Sequence, residues 1–570
     1  MGVLLQAFYN SVPIPTGVDS SIRWWWDHLT SQAARLSTAG FSAVWLPPVL
    51  KAASGTLSMG YDPFDDYDIG SKDQKGTVPT RYGVREQLQH CVATMRANGL
   101  DVYLDMVEHH RSGDPGNFTF RYKGSDGNPA KGRFPKNPLN FVPNVPRDPD
   151  LGGPAKDDFS FGRELAPING KPHDYVIDGL IDACDWLTTA LDAQGYRLDD
   201  VKGLSTDFLF RFLESKSMRG KFAVGEFFDG NLGLLHNWIF NPKGMKGRSS
   251  AFDFPLRFAL AAMCNNPGRF DMSQLDHAGL AGTAPLQAVT FVENHDTDHS
   301  SPVVINKVLG YAYILTAEGY PCVFYRDYSR DRGSFGLQPQ IDNLIWIHET
   351  LAAGETVQRW KDFNLFVYER LGAPKLLVAL NNDPSNARSV TVNTSIGQDT
   401  RLHDYSGHGA DLTTDQHGSA TITIPRNHNG SGYVCYSREN VGGSFTTRSH
   451  SVTQHFAGAE DLDILPALEG EAVHACRVWC AHGTPIRAEL TPDLTNWTDA
   501  TEITVELRDP EGKLVVNKTY KKATPAGTAI TVAAADTGFY AFVLSGTNLP
   551  QPAGKSAYVL RVTYTASRDN

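Results

Sequence analysis

Four short segments of the chain each end an apolar, strand-like run with charged residues. They are DMVEHH (105–110), GYRLDDVKG (195–203), VGEFFDG (224–230) and FVENHDT (291–297). Among their carboxylates are those of Asp199, Glu226 and Asp296, with histidine and arginine close by in the sequence. Cleavage of a glycosidic bond uses one carboxylic acid that protonates the leaving oxygen and a second carboxylate that attacks or stabilises the sugar carbon. This set of residues suits that chemistry.

The elements that would position these carboxylates alternate between strand and helix over residues 1 to about 355. The N-terminal run MGVLLQAFYN reads as a first strand, and seven later runs are short and rich in Val, Phe and Tyr: 41–48, 101–107, 195–200, 221–227, 251–255, 288–294 and 321–325. Stretches such as 84–99 between them have helical spacing and a glycine stop. Repeated strand–helix units predict a parallel sheet with crossover helices. The four segments come in the order of strands 3, 4, 5 and 7 of a (β/α)8 barrel, in which the C-terminal strand ends hold the chemistry.

The rest of the chain predicts a multi-domain α/β plus all-β protein. Residues 111–168 are dense in Gly, Pro, Asn and Asp, which is typical of a functional loop or small inserted subdomain. Alternating strands and turn residues predict two all-β parts, an antiparallel β domain and a C-terminal β-sandwich. The expected domains are a TIM barrel from 1–110 and 169–355, the insertion 111–168, the antiparallel domain 356–436, a linker 437–450 and the sandwich 451–570.

Composition narrows the class of partner. The chain has 570 residues, a length that predicts two to four domains. Hydrophobic residues make up 41% and charged residues 20%, which is ordinary for a soluble globular protein. Its formal net charge of −11 argues against nucleic acid or an anionic membrane as the main partner, because both favour a basic face. We expect a monomer whose substrate is an oligosaccharide or a polysaccharide.

The N-terminus and the cysteines leave two questions open. The first residues lack a charged region and a cleavage site, so either the protein is cytoplasmic or the numbering starts at the mature form of a secreted protein. The seven cysteines do not form a disulfide framework pattern, and most lie in apolar contexts. Cys476 and Cys480 would share one face of a strand, but an in-strand bridge strains the backbone, so free thiols and a disulfide both remain candidates.

Two of the carboxylates have neighbours that suit particular roles. Arg197 and Asp199 are two residues apart on a strand, so both side chains point to the same face, and the guanidinium would keep the pKa of Asp199 low. An ionised carboxylate of this kind can attack an anomeric carbon. Glu226 follows a glycine among phenylalanines (Phe222, Phe227 and Phe228), and apolar surroundings favour the protonated form that a general acid needs.

The four segments are similar to the four short regions of the α-amylase family of glycoside hydrolases (family 13). Four further stretches resemble the bacterial liquefying-type members: AVWLPP (43–48), GYDPFDDYDIG (60–70), QKGTVPTRYGVREQL (74–88) and HDYSGHGADLTTD (403–415). The resemblance covers residues 1 to about 436, and the sandwich is an addition to it. As a set these motifs are highly specific.

The resemblance implies a role for each matching residue. It makes Asp199 the nucleophile, Glu226 the general acid/base, and Asp296 the carboxylate that grips sugar hydroxyls and stabilises the transition state. It implies substrate contacts for the remaining residues: His110 and His295 on the same sugar ring, Tyr61 as a stacking platform, Lys202 on the leaving-group side, and Asp105 with Arg197 at the floor of the site.

The chain departs from the family pattern where the family binds a structural calcium ion. His109 stands where the family has an asparagine ligand, and Gly203 stands where it has a histidine that gives its carbonyl to the ion. Asp157, Asp158 and Gly203 remain metal candidates, and whether Ca²⁺ binds stays open, because imidazole is a poor ligand for it. An interaction of His109 with a carboxylate would replace the ion. Glu293 replaces a familiar aspartate and is expected to support the site; no organic cofactor is implied.

The resemblance therefore predicts retaining, endo-type hydrolysis of α-1,4-glucosidic bonds in starch-like glucans and maltooligosaccharides through a covalent glycosyl-enzyme. The two catalytic carboxyl groups of such an enzyme lie about 5 to 5.5 Å apart. The ring lost at Gly203 leaves room for a transglycosylase, or for a hydrolase of short or α-1,6-linked glucosides. A non-catalytic sugar-binding barrel is the third alternative.

The tryptophans have competing interpretations. The run Trp24–Trp26 precedes a helix-like stretch and predicts helix–barrel packing, although a sugar-stacking strip has the same composition. Trp479 and Trp497 in the sandwich could form a sugar platform or belong to its core. The role of residues 451–570 is not predicted.

Overall fold

The computed structural model describes residues 2–17, 19, 21–114, 118–124, 127–142, 161–166, 174–445, 448–457, 473–550 and 558–569. By its internal contacts the chain divides into two compact units. Unit 1 comprises Met1–Asn10, Leu36–Trp45 and Ala223–Thr446, and unit 2 comprises Ser11–Arg35, Leu46–Phe222 and Thr447–Asn570.

Parallel strands close into a barrel within the described residues. In chain order they are β1 (Leu4–Gln6), β2 (Ala43–Trp45), β3 (Asp101–Met106), β4 (Gly195–Leu198), β5 (Phe222–Gly225), β6 (Ser250–Phe252), β7 (Ala288–Phe291) and β8 (Tyr320–Phe324). Each strand pairs with its neighbours in the chain, and β8 pairs with β1. The predicted (β/α)8 barrel is therefore confirmed, and the four charged segments follow strands 3, 4, 5 and 7.

The barrel strands are short and almost wholly buried, as strands covered on both faces must be. The helices that follow and cover them are α1 (Trp25–Ala39), α2 (Arg85–Ala97), α3 (Tyr175–Leu191), α4 (Thr206–Leu213), α5 (Leu232–Phe240), α6 (Phe254–Asn265), α7 (Thr297–Ser300), α8 (Lys307–Ile314), α9 (Tyr325–Tyr328) and α10 (Gln338–Leu351). Short 3-10 turns span Gly55–Leu57, Pro138–Asn140, Val201–Gly203, Lys216–Met218, Met272–Leu275 and Pro285–Gln287.

Local sequence explains where several helices begin. The carboxylate of Asp174 accepts hydrogen bonds from the backbone of Val176 and Ile177 at the start of α3, and Ser205 caps α4 in the same way. At the start of α1, Trp25 and Trp26 are buried, and Trp26 packs against Tyr82. These two tryptophans therefore serve packing, as the sequence predicts.

Two short ribbons lie outside the barrel. Lys51–Ala52 pairs with Pro63–Asp65, and His110–Arg111 pairs with Arg163–Glu164. The second ribbon sets His110 opposite Glu164, and thereby joins the residues after β3 to the end of the inserted segment.

The antiparallel domain belongs to unit 1. Its strands are β9 (Thr356–Lys361), β10 (Leu365–Arg370), β11 (Leu376–Asn381), β12 (Arg388–Asn393), β13 (Arg401–Asp404), β14 (Leu412–Thr413), β15 (Ser419–Ile424) and β16 (Tyr433–Arg438). One sheet has the order β9-β10-β11-β16-β13-β14, and β12 pairs with β15. The apolar sides of both sheets enclose a shared core that includes Val367, Leu377 and Ile422.

The C-terminal sandwich belongs to unit 2. Its strands are β17 (Val452–Ala457), β18 (Val473–Cys480), β19 (Pro485–Pro492), β20 (Glu502–Arg508), β21 (Leu514–Lys521), β22 (Ala529–Ala533), β23 (Gly538–Thr547) and β24 (Tyr558–Tyr564). Two sheets, β17-β24-β19-β22 and β18-β23-β20-β21, share a core with Ala93 and Ala97 of α2. Trp497 is buried in this core, whereas Trp479 packs against His90 and Phe539.

All seven cysteines lie in the described part of the chain, and all are buried free thiols, including Cys476 and Cys480. Over the same residues, no helix combines the length and apolar character that crossing a membrane requires.

Candidate active site

The pairing of β3 with β4 places Asp105 directly beside Arg197. Both side chains are buried, and the Arg197 Nη1 atom donates to Asp105 Oδ1 at 2.7 Å and to Asp199 Oδ1 at 2.5 Å. One guanidinium thus fixes two carboxylates at the C-terminal ends of adjacent strands. This geometry confirms the prediction that Arg197 and Asp199 share a face.

Tyr61 and His110 extend this network. The Tyr61 hydroxyl donates to Asp105 Oδ2 at 2.8 Å, and His110 Nε2 donates to the Tyr61 carbonyl at 2.7 Å. The Arg197 guanidinium lies 5.7 Å from the centre of the Tyr61 ring. These contacts hold the Tyr61 ring at the edge of the carboxylate pair.

Burial sets the charge state of two groups in this network. It lowers the pKa of His110 to about 4, so this imidazole is neutral near pH 7 and donates from Nε2 alone to Tyr61. Burial also raises the pKa of Asp105 to about 6, against the attraction of Arg197 and with added repulsion from Asp199.

Asp200 turns away from this network. Its backbone is left-handed, with φ of 40° and ψ of 53°, and it begins the turn Val201–Gly203, in which Lys202 lies exposed. The Asp200 carboxylate lies 3.2 Å from Nδ1 of His109. Asp199 and Asp200 therefore have different partners, Arg197 and His109.

Glu226 directly follows β5 and is 8% exposed. The preceding Gly225 leaves room for the Trp238 ring, since a Cβ atom there would lie 2.4 Å from it. The three phenylalanines that the sequence places near Glu226 pack on three different rings. Phe227 packs on Trp238, Phe228 on Phe254, and Phe222 on Tyr103.

His295 and Asp296 follow β7. The Gln6 amide nitrogen donates to His295 Nδ1 at 2.9 Å, which leaves the ring proton on Nε2, 3.3 Å from Asp296 Oδ2. Phe8 and Trp45 enclose the His295 ring, so its orientation is fixed from the ends of β1 and β2. Sequence reasoning missed Gln6, because nothing in the run LLQAF distinguishes it from a core residue.

Glu293 supports the same turn from below. It is buried, and its carboxylate receives hydrogen bonds from Arg257 Nη2 at 2.8 Å, Thr297 Oγ1 and the Val303 backbone, while Lys307 lies 3.3 Å away. Its predicted supporting role fits these contacts.

The residues predicted for the site thus form two described groups. Tyr61, Asp105, His110, Arg197 and Asp199 form one hydrogen-bonded cluster in unit 2, with Lys202 in the adjoining turn. In unit 1, Glu226 follows β5, and His295 and Asp296 follow β7.

The calcium site that the family implies does not fit the described residues. The His109 ring lies against Gly203, where a Cβ atom would come within 2.6 Å of Nε2, and the same ring lies between Asp200 and Glu164. Burial opposes a charged ring, but the two carboxylates outweigh it and raise the pKa of His109 to about 9. An imidazolium cannot bind a cation. Asp157 and Asp158 lie outside the described residues, among which no group of three or more metal-binding side chains occurs.

Comparison with known proteins gives related sequences and a related fold, although no protein-family model matches the chain. An α-amylase of Bacillus licheniformis is 29% identical over 444 residues, which cover 67% of this chain and 85% of the relative. The glucan 1,4-α-maltohexaosidase of Bacillus sp. (strain 707) is 29% identical over 406 residues, or 61% of this chain and 76% of the relative.

The fold is shared with the α-amylase of Geobacillus thermoleovorans, solved in complex with acarbose. The two structures align with a TM-score of 0.54 and 17% identity over 77% of this chain and 98% of the other. The four motif segments follow β3, β4, β5 and β7, and over most of its length the chain is similar in sequence to bacterial α-amylases. It is an enzyme, a glycoside hydrolase of the α-amylase type.

Proposed function

We propose that the protein hydrolyses α-1,4-glucosidic bonds inside starch-like glucans and maltooligosaccharides, with retention of the anomeric configuration. The observation with most weight is the Arg197 cluster, in which a buried guanidinium holds Asp199 and Asp105 at the ends of β3 and β4. The names of the relatives, α-amylase and glucan 1,4-α-maltohexaosidase, support the linkage and the substrate class.

In the proposed first step, an Asp199 carboxylate oxygen attacks the anomeric carbon while the Glu226 carboxylic acid protonates the leaving glycosidic oxygen. The bond between that oxygen and the anomeric carbon breaks, and an ester between Asp199 and the sugar forms. The contact with Arg197 supports this role for Asp199, because the buried guanidinium fixes the orientation of its carboxylate.

In the second step, the Glu226 carboxylate takes a proton from water, whose oxygen attacks the anomeric carbon and displaces Asp199. The product keeps the α configuration because two inversions occur. The positions of Asp199 directly after β4 and of Glu226 directly after β5 support these roles, because catalytic residues of such barrels come from the C-terminal ends of several strands.

The remaining residues would bind sugar around this centre. We assign Asp296 and His295 to hydroxyl groups of the reacting ring, His110 to the same ring, Tyr61 to stacking, and Lys202 to the leaving-group side. The fixed orientations of Tyr61 and His295 support these roles, because preorganised groups lose little entropy on binding. The steps use side-chain carboxylates and water, so the proposal includes no organic cofactor.

Glu226→Gln tests this proposal most directly. The amide cannot protonate the leaving oxygen, so we expect kcat on soluble starch to fall by about 10²- to 10⁴-fold. Glu511→Gln, at an exposed turn of the sandwich, is the control and should keep wild-type activity. NMR of the first products should show the α anomer, and a β anomer would exclude the retaining mechanism. A rapid fall in polymer size per reducing end would support endo action.

A second candidate is a transglycosylase, or a hydrolase of short or α-1,6-linked glucosides, with the same carboxylates. The observation in its favour is Gly203, which offers no side chain beside Lys202 on the leaving-group side. Product profiles on maltooligosaccharides of increasing length separate the two: products longer than the substrate indicate transfer, and a preference for the shortest chains indicates the second hydrolase.

A further inference from the structure

We propose that the His109 side chain takes the place of a bound cation and holds Asp200, and through it Asp199, against the inserted segment, so that this enzyme needs no calcium. His109 is thereby a positioning residue. For its kcat readout the inference rests on the proposed function.

The geometry of the ring is that of a bridge. His109 is 3% exposed, with Nδ1 3.2 Å from Asp200 Oδ2 and Nε2 3.8 Å from Glu164 Oε1. The His109 carbonyl also accepts a hydrogen bond from the Leu165 backbone at 2.9 Å. One residue therefore joins the segment after β3, the strand end after β4 and the closing ribbon of the insertion.

His109 and Gly203, which both depart from the family pattern, lie directly against each other. A Cβ atom on Gly203 would lie 2.6 Å from Nε2 and 2.9 Å from two ring carbons of His109. Any side chain at position 203 would therefore displace the ring. The glycine makes room for the imidazole, and the imidazole fills the space beside the glycine.

The bridge acts on the residue beside the proposed nucleophile. Asp200 has a left-handed backbone, which costs free energy for a residue other than glycine, and such strain persists only where neighbouring contacts maintain it. Loss of the His109 contact would allow Asp200 to relax. Because Asp199 is its direct neighbour, the carboxylate held by Arg197 would move as well.

The adjoining residues are organised in the same way, by side-chain cations. Buried Arg111, the partner of Arg163 in the ribbon, donates to Asp66 and to Glu108, and Lys136 pairs with Asp66. Positive side chains thus satisfy the buried carboxylates around the ribbon that ends at Glu164.

The first test compares wild-type enzyme after exhaustive chelation with the same enzyme in excess Ca²⁺. We expect the same thermal unfolding midpoint and the same kcat in both. A midpoint or kcat that falls on chelation and returns with Ca²⁺ would overturn the proposal. The unfolding readout decides even if the wild type cleaves no glucan, an outcome that would refute the proposed function instead.

The second test is a double-mutant cycle between His109→Ala and Gly203→Ala. We expect each single variant to lower kcat by about 10- to 100-fold with KM within about threefold, since misplacement of a catalytic group affects the chemical step. Gly203→Ala should cost less than about twofold in the His109→Ala background, because its clash with the ring is gone.

His348→Ala is the matched control. It removes another buried histidine, whose Nδ1 donates to the Leu315 carbonyl, and should lower stability while kcat stays at the wild-type value. Equal kcat in His109→Ala and wild type, or strictly additive effects in the cycle, would contradict the positioning role. If His109→Ala does not fold, Gly203→Ala and the chelation test still decide.

Discussion

At the scale of single residues, one buried side chain, that of Arg197, holds two carboxylates of the proposed site. Arg197 is 1% exposed, and its Nη1 atom is bound by both Asp105 and Asp199. A buried cation between two carboxylates is stable only while its geometry is maintained, because unpaired buried charge is costly. The nucleophile's orientation therefore depends on the shape of the guanidinium.

Arg197→Lys tests this dependence. An ammonium group on a flexible stem cannot reproduce the planar guanidinium, so we expect kcat to fall by about 10- to 100-fold although the positive charge remains. Steady-state kinetics on maltooligosaccharides measures the effect. Arg219→Lys, at an exposed position in the same unit, should leave kcat unchanged. Wild-type kcat in Arg197→Lys would show that charge alone suffices.

The sequence predicts part of this network and misses part of it. The two-residue period of a strand places Arg197 beside Asp199, and the family pattern adds Asp105 and His110. Glu164 and Gln6 were not predicted, because their contacts with His109 and His295 arise from chain segments that no local periodicity relates. The sequence shows that His109 and Gly203 both depart from the family pattern, but it does not show that these two residues contact each other.

At the scale of elements, the C-terminal sandwich packs closely on helices of its own unit. Ala93 and Ala97 of α2 belong to the core of the sandwich. Gln454 of β17 donates to the Gln89 carbonyl at 2.9 Å, and the Tyr564 hydroxyl donates to Gln454 Oε1 at 2.7 Å, all in buried positions. The sandwich therefore completes the covering of α2.

Gln454→Ala measures this attachment. It removes two buried hydrogen bonds and leaves the Tyr564 hydroxyl without this acceptor, so we expect the free energy of unfolding to fall by about 2 kcal/mol. Denaturant unfolding gives the value, and Gln398→Ala at an exposed turn is the control. A cost below about 0.5 kcal/mol would mean that the contact contributes little.

The alternation of strands and helices predicts the barrel, but not this packing. Small residues such as Ala93 and Ala97 occur on any helix, and the apolar face of α2 has the same period whether it meets a strand or a second domain. The sequence does not show that Trp497 is buried either, so it is compatible with both a sugar platform and core packing. The domain boundaries remain predictions.

At the scale of the whole molecule, buried histidines define an acid limit of stability. Burial lowers the pKa of His90, His110 and His348 to about 4 each. Such groups are neutral in the folded state and protonate readily on unfolding, so their contribution is fully present above pH 6.5 and is lost as the pH falls toward 4. The buried carboxyls of Asp105 and Asp253, with pKa values raised to about 6, act in the opposite direction over this range.

A single variant separates one histidine from these opposing groups. For His348 the pKa falls from 6.5 to about 4, chiefly through burial, which corresponds to at most about 3 kcal/mol of stability lost on acidification. His348→Gln removes the titrating group, so the variant should lose up to about 3 kcal/mol less than wild type between pH 7.5 and pH 4. Denaturant unfolding at the two pH values gives the double difference, in which the packing loss common to both cancels. His417→Gln, an exposed histidine, should follow the wild-type slope. Parallel slopes for His348→Gln and wild type would show that His348 titrates normally in the folded protein.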